Sequence, residues 1–209
     1  MFENQIPAAP VGMVMPPANG VIAVICFVLL AAFAVWAAHE ARRTRSPAPL
    51  LILLGGTLTA FVEPLLDHVG AIWYPQYGAS PVMRAFNNSL PVWAIAAYGL
   101  YVGALSTLVC RRMIAGMTPQ QLWSAYFLIW VFNIGLELPG LNRNIYRYYG
   151  DPPFNLFGFP LCWAITNVTI PLLVAAVLTG YQELFVGVRA LLIVPIVPML
   201  GAAGEAASG

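Results

Sequence analysis

The chain has only eight acidic residues, and three of them fall where charge is expensive. Glu63 and Asp67, in the stretch AFVEPLLDHVG, close one long apolar run, and Glu137 closes another. Glu63 and Asp67 are four residues apart, so on a continuing helix they share a face. Pro64 between them removes a backbone donor and predicts a kink beneath the pair. Two carboxyl groups this close in a low-dielectric site resist joint ionisation, and desolvation acts the same way. At least one is expected to keep a proton near neutral pH, and a retained proton can be donated. His68, next to Asp67, is a candidate to orient or reload that acid; the plainer reading is a solvated loop histidine.

A second polar feature lies on the segment that ends at Glu137. Tyr126, Trp130, Asn133 and Glu137 fall at offsets of four, seven and eleven residues, one stripe at helical period. An aromatic stripe alone is ordinary packing. This one carries an amide and a carboxyl group into an apolar segment, where such groups mark function by default. Two structural alternatives stand beside it: Glu137 clamped by Arg143 or Arg147, and Asp67 clamped by Arg84. Trp93, Tyr98, Tyr101, Trp163 and Asn167 are further candidates to line the same site. Electron-rich ring faces around an apolar cavity stabilise a carbocation by cation–π attraction, about 2 kcal/mol each when desolvated. Trp73, Tyr74 and Tyr77 read instead as interfacial anchors.

The elements that must position these residues are membrane helices. The chain is 60% hydrophobic and 8% charged, with mean hydropathy +0.79, against about 25% charged for an ordinary soluble domain. Residues 20–38, 90–110 and 159–179 are free of charge, and residues 50–66, 121–138 and 184–203 hold one charge each. Each is close to the ~18 apolar residues that cross a bilayer core. These windows predict an all-α, polytopic transmembrane bundle of six helices, with a seventh if the chain continues past Gly209. The apolar runs are continuous, which argues against a barrel. No repeat or linker divides residues 1–209, so a single membrane domain is expected, with residues 1–19 outside the membrane and residues 204–209 as a tail.

Helices 2 and 4 run in the same direction, so Glu63, Asp67 and Glu137 belong to one membrane face. The long loops 67–89 and 139–158 lie there, with the starts of helices 3 and 5, which bring Asn87, Asn88, Trp93, Trp163 and Asn167 toward the acids. Arg42, Arg43 and Arg45 follow helix 1, and Arg111 and Arg112 follow helix 3, so the positive-inside rule puts those two loops in the cytoplasm. The residues before helix 1 lack the basic start of a cleaved signal peptide, so helix 1 is expected to stay as an anchor. All nine basic residues are Arg and net charge is +1, too little for a nucleic-acid partner. Cys26, Cys110 and Cys162 lack the close spacing of a metal or redox pair and read as small core residues.

Several chemistries lack their motifs. There is no Asp-rich magnesium motif, no HExxH, no glycine-rich phosphate loop and no GxSxG elbow. No metal or other cofactor is expected. His39 and His68 fall at opposite ends of the bundle, so a histidine-rich iron or haem site is not expected either. Brønsted acid chemistry on a lipophilic substrate remains.

The segments EPLLDHVGAIWYP (residues 63–75), LPVW (90–93) and YYGDPPFNLFGFPLCWAITN (148–167) resemble a small bacterial group of integral membrane terpene cyclases. Those enzymes form drimane-like rings on prenylated indole or cyclodipeptide substrates. The architecture is also similar to that of the fungal membrane-bound meroterpenoid cyclases. The resemblance spans roughly residues 50–178. It implies a non-metal cyclase of isomerase or lyase type that protonates an alkene or epoxide of a farnesyl-type chain, with Glu63, Asp67 or Glu137 as the acid and a prenylated small molecule as the partner. One departure stands out: the fungal enzymes are expected to carry an acid in a late helix, where this chain offers Glu183 near the start. Two other classes remain open. A small proton-coupled carrier would use Glu63, Glu137 and Arg189 as a relay and prolines 64, 171, 195 and 198 as moving joints; a non-enzymatic membrane subunit would leave the acids as clamps.

Overall fold

A computed structural model describes residues 8–78, 80–151 and 154–206. It is an all-α bundle with a few short strands in the loops at one end. Five helical stretches are long and apolar enough to cross a membrane: Ala18–Thr44, Val92–Ile114, Pro119–Asn142, Leu161–Gly180 and Gly187–Ala206. A sixth forms if the bent pair Ala48–Thr59 and Glu63–Gly70 counts as one span. This matches the six apolar windows and is compatible with a multi-pass membrane protein. The exterior agrees: Val21, Val24, Val28 and Val35 on the first helix are all more than 60% exposed, a surface suited to lipid and not to water.

α1 (Ala18–Thr44) packs on α2 (Ala48–Thr59) and on α4 (Val92–Tyr98). α4 continues through a π-helical segment, Gly99–Ala104, into α5 (Leu105–Ile114). α2 is central, packed against the π-helical segment on one side and α8 (Ile193–Ala206) on another. At the first contact a Cβ on Gly56 would stand 2.3 Å from the Gly103 nitrogen, so only glycine allows this backbone approach. α6 (Pro119–Asn142) starts at a capping box made by Thr118 and Gln121 and rests on α7 (Leu161–Gly180), which also packs against α5 and α8.

The second span breaks beneath the two acids, as the proline predicts. α2 ends at Thr59, residues 60–62 form turns, and α3 (Glu63–Gly70) leaves at 49°. Pro64 falls in the first turn of α3, where a missing N–H costs nothing. The break thus lies before Glu63 and not between the two acids. Two boundaries differ from the sequence reading. Asp67 and His68 are helical, not in the loop, and the presumed tail begins as helix, because α8 runs to Ala206.

The two long loops pair with each other. β1 (Ile72–Trp73) runs antiparallel to β4 (Arg147–Tyr148), and β2 (Pro81–Ala85) forms a hairpin with β3 (Asn88–Pro91). Phe86 and Asn87 turn this hairpin with φ of 51° and 59°, as a tight two-residue turn requires. β5 (Asn155–Leu156) and β6 (Phe159–Pro160) lead into α7.

Candidate active site

The broken second span sets the acids. Glu63 and Asp67 lie one turn apart on the inner face of α3 and are 6% and 1% exposed. Their carboxyl groups face each other within hydrogen-bonding reach. Glu63 accepts from tyrosines on both oxygens: the Tyr74 hydroxyl donates to Oε1 at 3.1 Å, and the Tyr98 hydroxyl donates to Oε2. Asp67 Oδ2 accepts from the Asn88 amide at 3.0 Å, while Oδ1 is buried without a donor among the described residues. Asn88 is itself pinned. Its amide also donates to the Ile72 carbonyl, and its Oδ1 accepts from the backbone nitrogens of Tyr74 and Ser89.

Glu137 reaches the same region from α6. Its Oε2 accepts from Tyr146 at 2.5 Å and from Tyr148 at 3.4 Å, and Asn133 lies against it one turn deeper. The Asn167 amide of α7 meets Asn133 Oδ1 at 3.5 Å. The acids sit beneath a run of aromatic rings. Trp93 meets Tyr74 edge-on at 5.9 Å between centroids, Tyr74 meets Tyr146 at 5.8 Å, Tyr146 meets Tyr148 at 6.1 Å, and Tyr148 meets Phe159 at 5.7 Å. Burial raises the Tyr74, Tyr146 and Tyr148 hydroxyls well above the ordinary tyrosine value, with Glu63 adding at Tyr74 and Glu137 at the other two. All three remain neutral donors at neutral pH.

Most of the residues singled out in the sequence meet here: Glu63, Asp67 and Glu137 as acids, Trp93, Tyr98, Asn133 and Asn167 around them, and Tyr101 and Trp130 one to two turns deeper. Trp163 packs on α3 from α7, so closely that a Cβ on Gly70 would lie 2.5 Å from its ring. His68 is placed elsewhere. One residue past Asp67 the helix has turned by about 100°, and the exposed imidazole stacks on Phe86 at 5.1 Å. Asn87 is exposed at the hairpin turn, so Asn88 alone of that pair reaches the acids. Neither expected clamp forms among the described residues: Glu137 is met by tyrosines and Asp67 by Asn88, while Arg147 donates to Asn144.

Two corrections enlarge the site. Trp73 and Tyr74, read as interfacial anchors, are 6% and 5% exposed, and Tyr74 bonds Glu63; only Tyr77, 61% exposed, has the surface an anchor needs. Glu205, assigned to a tail, is buried on α8 within electrostatic reach of Glu63 and Glu137. It is an acid on the last helix, where the sequence reading had considered only Glu183, and its placement follows from Gly201 and Gly204 setting α8 against Thr59 and Ile170. Tyr146 and Tyr148 were also missed as site residues, because their loop reads only as polar and aromatic.

Two surface cavities of about 450 and 430 Å³ lie at the other end of the bundle, where α5 and α7 end, and neither includes any of the four acids. No protein-family model, curated protein or solved structure matches the chain. Function must therefore be argued from the acids and rings themselves.

Proposed function

We propose that the chain is a membrane-embedded terpene cyclase that starts ring closure by protonating an alkene of a farnesyl-type chain. One observation carries the reading: Glu63, Asp67 and Glu137 are gathered at one end of an apolar bundle, met by hydroxyl and amide donors, with no ion pair to an Arg among the described residues. Carboxylates have no donor of their own, so Glu63 and Asp67, face to face, hold a proton between them. Glu63 already accepts two tyrosine hydroxyls, which suits the ionised form. Asp67, with Oδ2 taken by Asn88, is left to carry the proton on Oδ1.

The chemistry then balances. Asp67 Oδ1 gives its proton to the distal alkene carbon, the π electrons form the new C–H bond, and the cation moves inward as successive alkenes close rings. The faces of Trp93, Tyr98 and Trp163 carry the charge. Glu137, held by Tyr146, Tyr148 and Asn133, takes the final proton from carbon, and that proton returns across the acid cluster to Asp67. Substrate and product have equal mass. General acid catalysis of this kind contributes about 10²–10⁴-fold, and the aromatic roof keeps water from capturing the cation.

The lipophilic chain enters sideways from the bilayer. In this reading the loops after α1 and α5 face the cytoplasm of a bacterial cell, and the acids lie toward the opposite leaflet. Purified protein in detergent, incubated with farnesylated indoles and free polyprenyl compounds, tests the proposal by mass spectrometry and NMR. The expected result is a product of unchanged mass with fewer alkenes, lost in Asp67→Asn. Absence of any cyclised product across the panel would overturn the reading.

A further inference from the structure

The short hairpin that leads into α7 breaks a local rule twice, and nothing inside the chain compensates. β5 and β6 pair with Leu156 opposite Phe159, so Phe157 and Gly158 form a two-residue turn. Both have positive φ, 50° and 88°, and Asn155 Oδ1 accepts from the Gly158 nitrogen at 2.7 Å. Phe154, just before β5, also has positive φ, 54°. Such turns take Asn, Asp or Gly at the first central position, and a bulky residue is strained in the left-handed region. The two rings nevertheless point away from the chain: Phe154 is 81% and Phe157 78% exposed. Neither stacks on another ring among the described residues, whereas Phe86, at the turn of the other hairpin with φ 51°, stacks on His68.

The hairpin's place in the fold says what covers these rings. β6 ends at Pro160 and α7 begins at Leu161, with no residue between them, and α7 is long and apolar enough to cross a membrane. A segment joined directly to the end of a span lies at the level of the bilayer interface. Residues 154–160, FNLFGFP, hold no charged group. β6 packs on both α6 and α7, and the last turns of α6 and the first of α7 have an apolar exterior, with Leu136 51% and Ile165 54% exposed.

We propose that the β5–β6 hairpin is an interfacial lipid anchor: Phe154 and Phe157 dip below the headgroups of the leaflet at the acid end, and the partner of this apolar tip is the bilayer, not another protein chain. The anchor bears on the acids through its base. Phe159 is fully buried and meets Tyr148 at 5.7 Å, and the Tyr148 hydroxyl donates to Glu137. Lipid contact at the tip therefore holds the outer end of the aromatic roof. The inference does not depend on which reaction the acids perform.

The test places a nitroxide at Phe154→Cys or Phe157→Cys in the full-length protein in phosphatidylcholine vesicles, with Cys26, Cys110 and Cys162 replaced by Ala. Asn87→Cys, at the exposed turn of the β2–β3 hairpin, is the aqueous control. Power-saturation EPR compares collisions with oxygen, which concentrates in lipid, and with a nickel chelate, which stays in water. Labels at 154 and 157 are expected to show an oxygen-to-nickel collision ratio about tenfold above that at residue 87. A ratio equal to that at residue 87 overturns the anchor. Protection from both reagents also overturns it, because the rings would then lie against protein. A second measurement needs no label: the double variant Phe154→Ser with Phe157→Ser, its fold checked by circular dichroism, is compared with wild type by amide hydrogen exchange in the same vesicles. Exchange across residues 145–161 is expected to rise about tenfold while residues 105–114 stay unchanged. No rise across residues 145–161 overturns the hold on the roof.

Discussion

Glu63→Gln and Asp67→Asn should differ in stability although both are one-atom changes on the same helix face. At Asp67 the amide reproduces what the resting acid does: its oxygen accepts from Asn88 as Oδ2 does at 3.0 Å, and its NH₂ donates toward Glu63 in place of the Oδ1 proton. One altered hydrogen bond costs about 1 kcal/mol or less. At Glu63 both oxygens accept tyrosine hydroxyls, and Asp67 faces it as a third donor. An amide there turns one acceptor into a donor facing donors and removes the charge that strengthens the remaining bonds, a loss of about 2–3 kcal/mol.

For a chain of this size, 1 kcal/mol moves the thermal midpoint by about 2–4 °C. The expected losses are then at most about 4 °C for Asp67→Asn and about 4–12 °C for Glu63→Gln, read by intrinsic fluorescence during heating in one detergent. Turnover separates the two effects, because Asp67→Asn should lose about 10²–10⁴-fold while remaining folded. A larger stability loss in Asp67→Asn than in Glu63→Gln would refute the assignment of the proton to Asp67. Full turnover in both would refute the acid role of the pair.

The glycine contacts give a sharper packing test. Gly56→Ala meets backbone at 2.3 Å and should lower the thermal midpoint or folded yield strongly, by about 3 kcal/mol, whereas Gly135→Ala in α6, with nothing within 4 Å, should be neutral or stabilising by up to about 1 kcal/mol. Alkali should act through the roof. The raised hydroxyls of Tyr74, Tyr146 and Tyr148 contribute stability that is fully present below the ordinary tyrosine value of 10.0 and is lost as pH rises past it. Unfolding midpoints should thus be flat from neutrality to about pH 10 and fall above it, together with tyrosinate absorbance; a fall beginning near pH 8 would contradict this. Orientation is checked by thiol labelling of Ser46→Cys and Tyr77→Cys in intact cells, where only the second should react with an impermeant reagent.

The spans and the face shared by Glu63, Asp67 and Glu137 were legible because they depend on local quantities: run length, charge count and the parity of helix crossings. The partners of those acids were not. Tyr74 and Tyr146 reach Glu63 and Glu137 because loops about 75 residues apart in sequence pair through Ile72–Trp73 and Arg147–Tyr148, and nothing within either loop announces the other. Composition also misled at Glu205. The segment GAAGEAASG looks like a solvated tail, yet helix formation there follows from tertiary contact with α2 and α7. His68 failed for a simpler reason: adjacency in sequence to Asp67 places it on another helix face.

Glu40 shows what this chain does with a buried acid whose task is structural. At the end of the bundle away from the site, its carboxylate is 4% exposed and takes Arg43 through two bonds of 2.8 Å and Arg111 at 2.9 Å. The Arg111 guanidinium in turn lies 5.2 Å from the Trp36 ring centre, so one ion cluster ties α1 to α5. Three of the nine Arg, Arg84, Arg143 and Arg147, lie in the loops at the acid end, one for each of Glu63, Asp67 and Glu137, enough to build the same clamp there. Instead those three are met by phenols and an amide, groups that hold a carboxyl in place whether or not it carries a proton, because a phenol can accept as well as donate. A clamp that tolerates both states is poorly suited to fixing a fold and well suited to moving a proton. That difference in donor chemistry within one chain is the strongest structural argument for reading the acids as catalytic.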